Sequence, residues 1–143
     1  MGIKGSCLCN GIRYEIDQFA STVVNCHCSM CRKATGAAFR TRVSVPSAAF
    51  RWLAGEELVS RYQSSPGETR TFCRVCGSTL PTFFRDHPDV IGLPLGTLDE
   101  DPGIRPTANV YVASKAPWFE ITDDLPQFAE RPLSACRVCS RRS

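Results

Sequence analysis

Seven cysteines crowded into three short clusters constrain this chain more than any other feature. Cys7-Leu8-Cys9, then Cys26-His27-Cys28-Ser29-Met30-Cys31, then Cys73-Arg74-Val75-Cys76 supply two, three and two thiols before residue 77. The whole chain holds nine cysteines, and an odd number cannot pair completely as disulfides within one molecule. Spacings of two and three residues are those of metal-ligating thiols, which stay reduced in the cytoplasm. The expectation is therefore a cytoplasmic protein stapled by zinc.

Local geometry says how each cluster could grip an ion. In extended backbone, side chains two apart share a face, so Cys7 can act with Cys9, and Cys26 with Cys28, while His27 is turned away. A Cys-x-x-Cys turn gathers its two sulfurs and aims backbone amides at them, which stabilises the thiolates. Cys73 and Cys76, followed by Gly77, fit such a knuckle. Structural zinc takes four protein ligands and a working zinc leaves one position open, so seven thiols divide as four plus three. Spacing leaves the partition open: the two pairs could join, or either pair could lend a thiol to the triple. Two pairs plus an isolated triple is the simplest division.

A chain of 143 residues with 43% apolar composition can bury one core, which predicts a single domain over residues 1–132. Residues 133–143 read as an Arg/Ser-rich tail in which Cys136-Arg137-Val138-Cys139 repeats the knuckle sequence. Alternation at Ile12, Tyr14 and Ile16, at Val43 and Val45, and at Val110 and Val112 around Tyr111 predicts short half-buried strands. Frequent Gly and Pro between them argue against long helices, so the fold class is mainly β, of small antiparallel sheets. A short helix is expected over Ser29 to Thr35, capped by Ser29 and ended by Gly36, and a second near Asp123 to Phe128. With 17 basic and 14 acidic side chains, the net charge of +3 gives no reason to expect nucleic acid. The opening residues lack the apolar stretch of a secretory signal, and no membrane association is expected. Nothing in the sequence indicates an oligomeric state.

The three clusters also resemble a known family. Gly5-Ser6-Cys7-Leu8-Cys9-Asn10-Gly11-Ile12-Arg13-Tyr14, Cys26-His27-Cys28-Ser29-Met30-Cys31-Arg32 and Phe72-Cys73-Arg74-Val75-Cys76-Gly77-Ser78 are similar, in order, to the three signatures of the glutathione-dependent formaldehyde-activating family, with its centromere protein V-like zinc proteins. Gly96-Thr97-Leu98-Asp99 and Trp118 resemble its later landmarks. The resemblance implies a β-tent fold in which Cys7, Cys9, Cys73 and Cys76 share a structural zinc. It implies that Cys26, Cys28 and Cys31 hold a second zinc used for the ligand, giving two zinc ions per chain. The implied activity is that of a carbon–sulfur lyase acting on S-hydroxymethylglutathione, with glutathione as co-substrate and formaldehyde as the aldehyde. Cys136 and Cys139 are not part of the family pattern and are expected to be an uninvolved tail.

Three thiolates on a divalent ion carry a formal charge of about −1, which makes a poor Lewis acid and a soft site suited to a fourth thiolate. Thiol delivery to an aldehyde carbon is therefore expected in preference to water activation. Arg32, Lys33, Arg40 and Arg42 are candidate partners for a thiol's carboxylates, the alternative being an ordinary solvated face. His27 is either a proton shuttle or, as its strand position favours, a group behind the ligands or in the core. The competing function is a non-catalytic interaction module with both metal sites closed, presenting Trp52, Phe83, Phe84 and Trp118 to a partner.

Overall fold

The computed structural model describes residues 2–131, so Cys136 and Cys139 lie outside the described residues. In chain order its strands are β1 (Ile3–Ser6), β2 (Arg13–Ile16), β3 (Val23–Cys26), β4 (Arg40–Pro46), β5 (Phe50–Ala54), β6 (Val59–Ser65), β7 (Glu68–Cys73), β8 (Thr79–Phe84), β9 (Val90–Pro94) and β10 (Pro106–Val110). One α-helix, α1 (Ser29–Thr35), follows β3, and single 3-10 turns cover Ser47–Ala49, Glu56–Leu58, Leu95–Thr97 and Val112–Ser114. The mainly β expectation holds.

The strands form two sheets, one in the order β1-β2-β5 and the other in the order β10-β3-β4-β9-β8-β7-β6. All pairs are antiparallel except β10 with β3, which run parallel in register from Ala108 opposite Val24 to Val110 opposite Cys26. Period-two burial holds in β2, where Tyr14 and Ile16 are buried, whereas β4 forms a strand at Val43 and Val45 but is buried on both faces, with Arg42 and Ser44 inside as well. Burial divides into three apolar clusters. One packs Tyr14, Ile16, Val43, Val45, Ile91 and Leu93 between the sheets. The other two are built around the cysteines: Cys7 and Cys73 with Ile12, Val59 and Leu80, and Cys26, Cys28 and Cys31 with Val24, Ala108, Val110 and Tyr111.

The first motif is explained by the way the small sheet docks. Gly5 lies opposite Tyr14 in the β1–β2 register, and the Tyr14 ring covers it: a Cβ at Gly5 would sit 2.2 Å from the ring carbon Cζ. The Tyr14 hydroxyl donates to Thr97 Oγ1 at 2.6 Å, because that hydroxyl already donates to the Pro94 carbonyl. Beside it, Ser6 Oγ donates to Asp99 Oδ1 at 2.6 Å and the Asp99 amide donates to the Lys4 carbonyl. The Gly96-Thr97-Leu98-Asp99 landmark is thus the seat for the first cysteine motif.

Three local expectations are corrected. The helix over Ser29 to Thr35 forms, but its N-cap is Cys28, whose Sγ accepts from the Cys31 amide at 3.3 Å. The strand at Val110 does not continue through Tyr111, which takes a left-handed conformation (φ 58) and opens a 3-10 turn. The segment from Asp123 to Phe128 is not helical: Pro126 disfavours helix in the residue before it, and the Leu125 amide is taken by Asp123 Oδ1. The chain instead runs extended alongside β10, with Phe128 N donating to the Asn109 carbonyl at 2.9 Å and Asn109 N to the Pro126 carbonyl. Among the described residues no helix is long and apolar enough to cross a membrane.

Gly5→Ala should destabilise the protein by about 1–3 kcal/mol, since the Tyr14 ring is held by its hydroxyl and cannot yield freely. Chemical denaturation at equal slope would measure it. An unchanged midpoint would mean that the ring does not seal the small sheet.

Candidate metal centres

The structure brings Cys7, Cys9, Cys73 and Cys76 into one group and Cys26, Cys28 and Cys31 into another, the ligand atoms of each lying within 4.8 Å of one another. Among the described residues no fourth His, Cys, Asp or Glu joins the triple. In the four-thiol group Cys7 Sγ is 3.6 Å from Cys9 Sγ, and Cys9 Sγ is 3.9 Å from Cys73 Sγ. Zinc–sulfur bonds of about 2.3 Å arranged tetrahedrally give sulfur–sulfur edges of about 3.8 Å, so the donor set fits zinc in both chemistry and size.

Backbone turns shape this group. Cys7 and Cys9 are brought together by a tight turn beyond β1 rather than by strand alternation, with Asn10 left-handed (φ 65) and its amide donating to the Cys7 carbonyl. The Ile12 amide points at Cys7 Sγ at 3.3 Å. The knuckle after β7 works as its sequence suggests: the Val75 and Cys76 amides approach Cys73 Sγ at 3.4 and 3.5 Å, and Gly77 closes the turn at φ 79. The thiols do not share charge evenly. Hydrogen bonds from the Ser78 hydroxyl and backbone pull Cys76 down to about 5. Cys9 is pushed up to about 11, because a hydrogen bond from the Gly11 backbone is outweighed by Cys7, burial and the other thiols. Four thiols this close cannot all ionise without a cation among them.

The triple is assembled from the end of β3, the loop residue 28 and the first turn of α1, and its three cysteines are 0–1% exposed. Hydrogen bonds from the Cys26 and Cys28 thiols hold Cys31 well below the usual thiol range, aided by the guanidiniums of Arg40 and Arg70 and opposed by burial. The reciprocal pairing and burial push Cys26 well above it. Arg70 Nη2 lies 3.8 Å from Cys31 Sγ. Burial works against the Arg70 charge, but Cys31 and Glu68 outweigh it and raise the guanidinium.

Of the basic residues expected beside the triple, Arg40 and Arg42 are not on a solvated face: each is 2% exposed. Arg40 donates to Thr82 Oγ1 at 2.8 Å and to the Gly92 carbonyl at 3.2 Å, and burial followed by the Arg42 charge lowers it to about 10. Arg42 stacks over the Phe84 ring at 5.6 Å and fills the space that a Cβ on Gly92 would take. Lys33 is exposed and Arg32 half-buried. His27 faces away from the thiols: its Nε2 donates to Asn109 Oδ1 at 2.9 Å and its ring packs on Phe39 and Phe119, with burial lowering its pKa. Trp52, Phe83 and Phe84 are packed in the interior to differing degrees, so of the four aromatics only Trp118, 71% exposed, faces solvent freely.

Sequence reasoning missed two groups at the triple. Arg70 stands two residues after Glu68 on β7, in a segment whose sequence gave no sign that either charge is buried. Tyr111 packs over the same cysteines in its left-handed conformation, which its neighbours in sequence gave no reason to expect.

Fold and thiol groups together define a small, mainly β protein whose cysteines gather into two clusters able to hold metal. The chain belongs to the glutathione-dependent formaldehyde-activating enzyme family, whose profile matches residues 2–114. A Halomonas elongata protein provisionally named as such an enzyme is 30% identical over 129 residues, covering 85% of this chain and 82% of that one. A crystal structure of a Rhodobacter sphaeroides protein superposes with a TM-score of 0.60 at 26% identity, over 73% of this chain and 98% of that one.

Elemental analysis of the reduced protein should find two zinc ions per chain. Replacing both Cys73 and Cys76 by Ser should remove one and abolish cooperative unfolding, because a structural zinc contributes its binding free energy to folding. Unaltered metal content in that variant would break the four-thiol grouping.

Proposed function

We propose that the protein is a zinc-dependent carbon–sulfur lyase that joins or splits a thiol and an aldehyde, with S-hydroxymethylglutathione as the adduct that the family name suggests. In this reading Cys7, Cys9, Cys73 and Cys76 hold a structural zinc and Cys26, Cys28 and Cys31 hold the zinc at the reaction site. The observation that carries it is the buried triple that no other ligand among the described residues completes. When bound there, zinc would supply a soft position that keeps a thiol sulfur ionised and oriented.

The chain's own residues define what surrounds that position. Val24, Val110, Ala108 and Tyr111 wall the cysteines off from water, which suits adduct chemistry better than hydrolysis. Three thiolates around a divalent ion leave about one negative charge, and a fourth would add another. Arg40 and Arg70, both buried beside Cys31, offset that charge. His27 is bonded to Asn109 and away from the thiols, so it supports the ligand loop rather than moving a proton at the sulfur. All seven described cysteines are free thiols, a state that accords with a reducing, cytoplasmic setting.

Cys28→Ser should fold, since serine also caps α1 well, yet hold one zinc instead of two and lose turnover. X-ray absorption at the zinc edge supplies the decisive comparison. On addition of glutathione the average shell of the wild type should gain sulfur at the expense of oxygen, and that of Cys28→Ser should not change. A sulfur-only shell indifferent to glutathione would sink the lyase reading in favour of a purely structural protein.

A further inference from the structure

Beside the triple, reached through Arg70, lies a cleft that neither the family motifs nor the metal chemistry accounts for. A cavity of about 380 Å³ lies between α1, which contributes Met30, Lys33 and Ala34, and the β6–β7 hairpin, which contributes Tyr62, Ser64 and Arg70. Ser29 and Met30, between two of the clustered cysteines in sequence, form part of its wall. Its floor is a buried cation. The Arg70 side chain is 9% exposed, and only its Nη2 has partners, Cys31 Sγ at 3.8 Å and Glu68 Oε1 at 3.9 Å. Nε and Nη1 are buried with no hydrogen-bond partner.

A buried guanidinium with unpaired donors is unfavourable unless something supplies acceptors. Glu68 cannot do so fully: its Oε1 accepts from the Ser64 and Ser65 hydroxyls and reaches only Nη2. Cys31 engages the same nitrogen. The unpaired Nε and Nη1 edges therefore call for an anion with more than one oxygen, and a planar carboxylate matches the guanidinium fork. Lys33, exposed at the cleft's edge, adds a second positive charge on the route in.

We propose that this cleft binds the carboxylate of the thiol substrate, with Arg70 as its buried anchor and Lys33 at its mouth. The inference rests on the thiol-delivery reading and deepens it: the preferred substrate is a small anionic thiol, not a neutral one. Arg70 then has two duties on one side chain, stabilising Cys31 through Nη2 and fixing the substrate's charged end through its other donors.

The test uses the zinc-loaded protein and three probes: 3-mercaptopropionate, its methyl ester, and its S-methylated form. Binding is read from backbone amide shifts of Ser29, Met30, Ala34 and Tyr62, independently of turnover. The acid should bind about tenfold or more tighter than the ester, and Arg70→Gln should erase that difference, weakening the acid far more than the ester, which loses only what the change at Cys31 costs both. Equal weakening of acid and ester by Arg70→Gln would overturn the proposal, because Arg70 would then act only through Cys31. If Arg70→Gln does not fold, Lys33→Gln, on the surface, should weaken the acid about two- to fivefold and spare the ester. No effect of Lys33→Gln on either would count against the site. The S-methylated acid separates the two readings: Arg70-dependent binding as tight as that of the thiol keeps the carboxylate site and discards thiol delivery, and loss of its binding with the acid–ester difference intact supports both.

Discussion

Everything else in the fold depends on the tie between two turns that belong to different sheets. Cys7 and Cys9 leave β1 of the small sheet, and Cys73 and Cys76 leave β7 of the large one, more than sixty residues later. The apolar cluster around them contains only five buried side chains, two of them cysteines. So few apolar groups would not by themselves hold two sheets at a fixed angle against the chain entropy of closing that loop. Four thiols at tetrahedral spacing make the junction a site able to hold a cation, and a cation bound there would add its binding free energy to folding. The Tyr14–Thr97 and Ser6–Asp99 contacts then fix the orientation of a sheet that the thiols have already anchored.

The two thiol groups differ in exposure. Cys9 is exposed and Cys76 half-buried in the four-thiol group, whereas all three cysteines of the triple are shielded. A closed site tolerates water because every coordination position is filled, and its stability comes from ligand number. Shielding of the triple limits how much solvent surrounds any ligand that joins it. The price is electrostatic, since buried thiolates repel one another in a medium that screens poorly. Arg40 on β4 and Arg70 on β7, both buried, supply positive charge that favours the ionised Cys31.

Legibility in the sequence followed the range of the interactions involved. Turn and helix chemistry at Ser29 to Thr35 and period-two patterning in β2 are local, and they were readable, as was the existence of β4 though not the burial of both its faces. The extended run from Asp123 to Phe128 was not, because its backbone groups are satisfied by β10 and not within the segment. The left-handed Tyr111 has the same origin: its amide is bonded to the Glu130 carbonyl nineteen residues on, and sequence neighbours carry no trace of that. Cysteine spacing gave the composition of each short cluster but left open which clusters meet, since that is a matter of sheet topology. Basic residues close in sequence to the triple were found, and Arg70, brought beside it by strand order alone, was missed.

Arg40, Arg42 and Arg70 also show why a glycine and a threonine occur where larger apolar residues would pack better. Gly92 opposes Thr82 in the β8–β9 register, and Ser44 on β4 opposes Gly92 in turn. The Arg42 guanidinium occupies the missing side chain's volume, while Thr82 Oγ1 and the Gly92 carbonyl receive Arg40. Filling that space with a methyl group would displace one cation and leave the other less well bonded, so the middle of the large sheet trades apolar packing for charge placement. A negative counterpart in contact with this group of cations is Cys31 Sγ, 3.8 Å from Arg70 Nη2. The interior of the large sheet therefore places positive charge beside the triple, which adds to the preference of Cys31 for its ionised form.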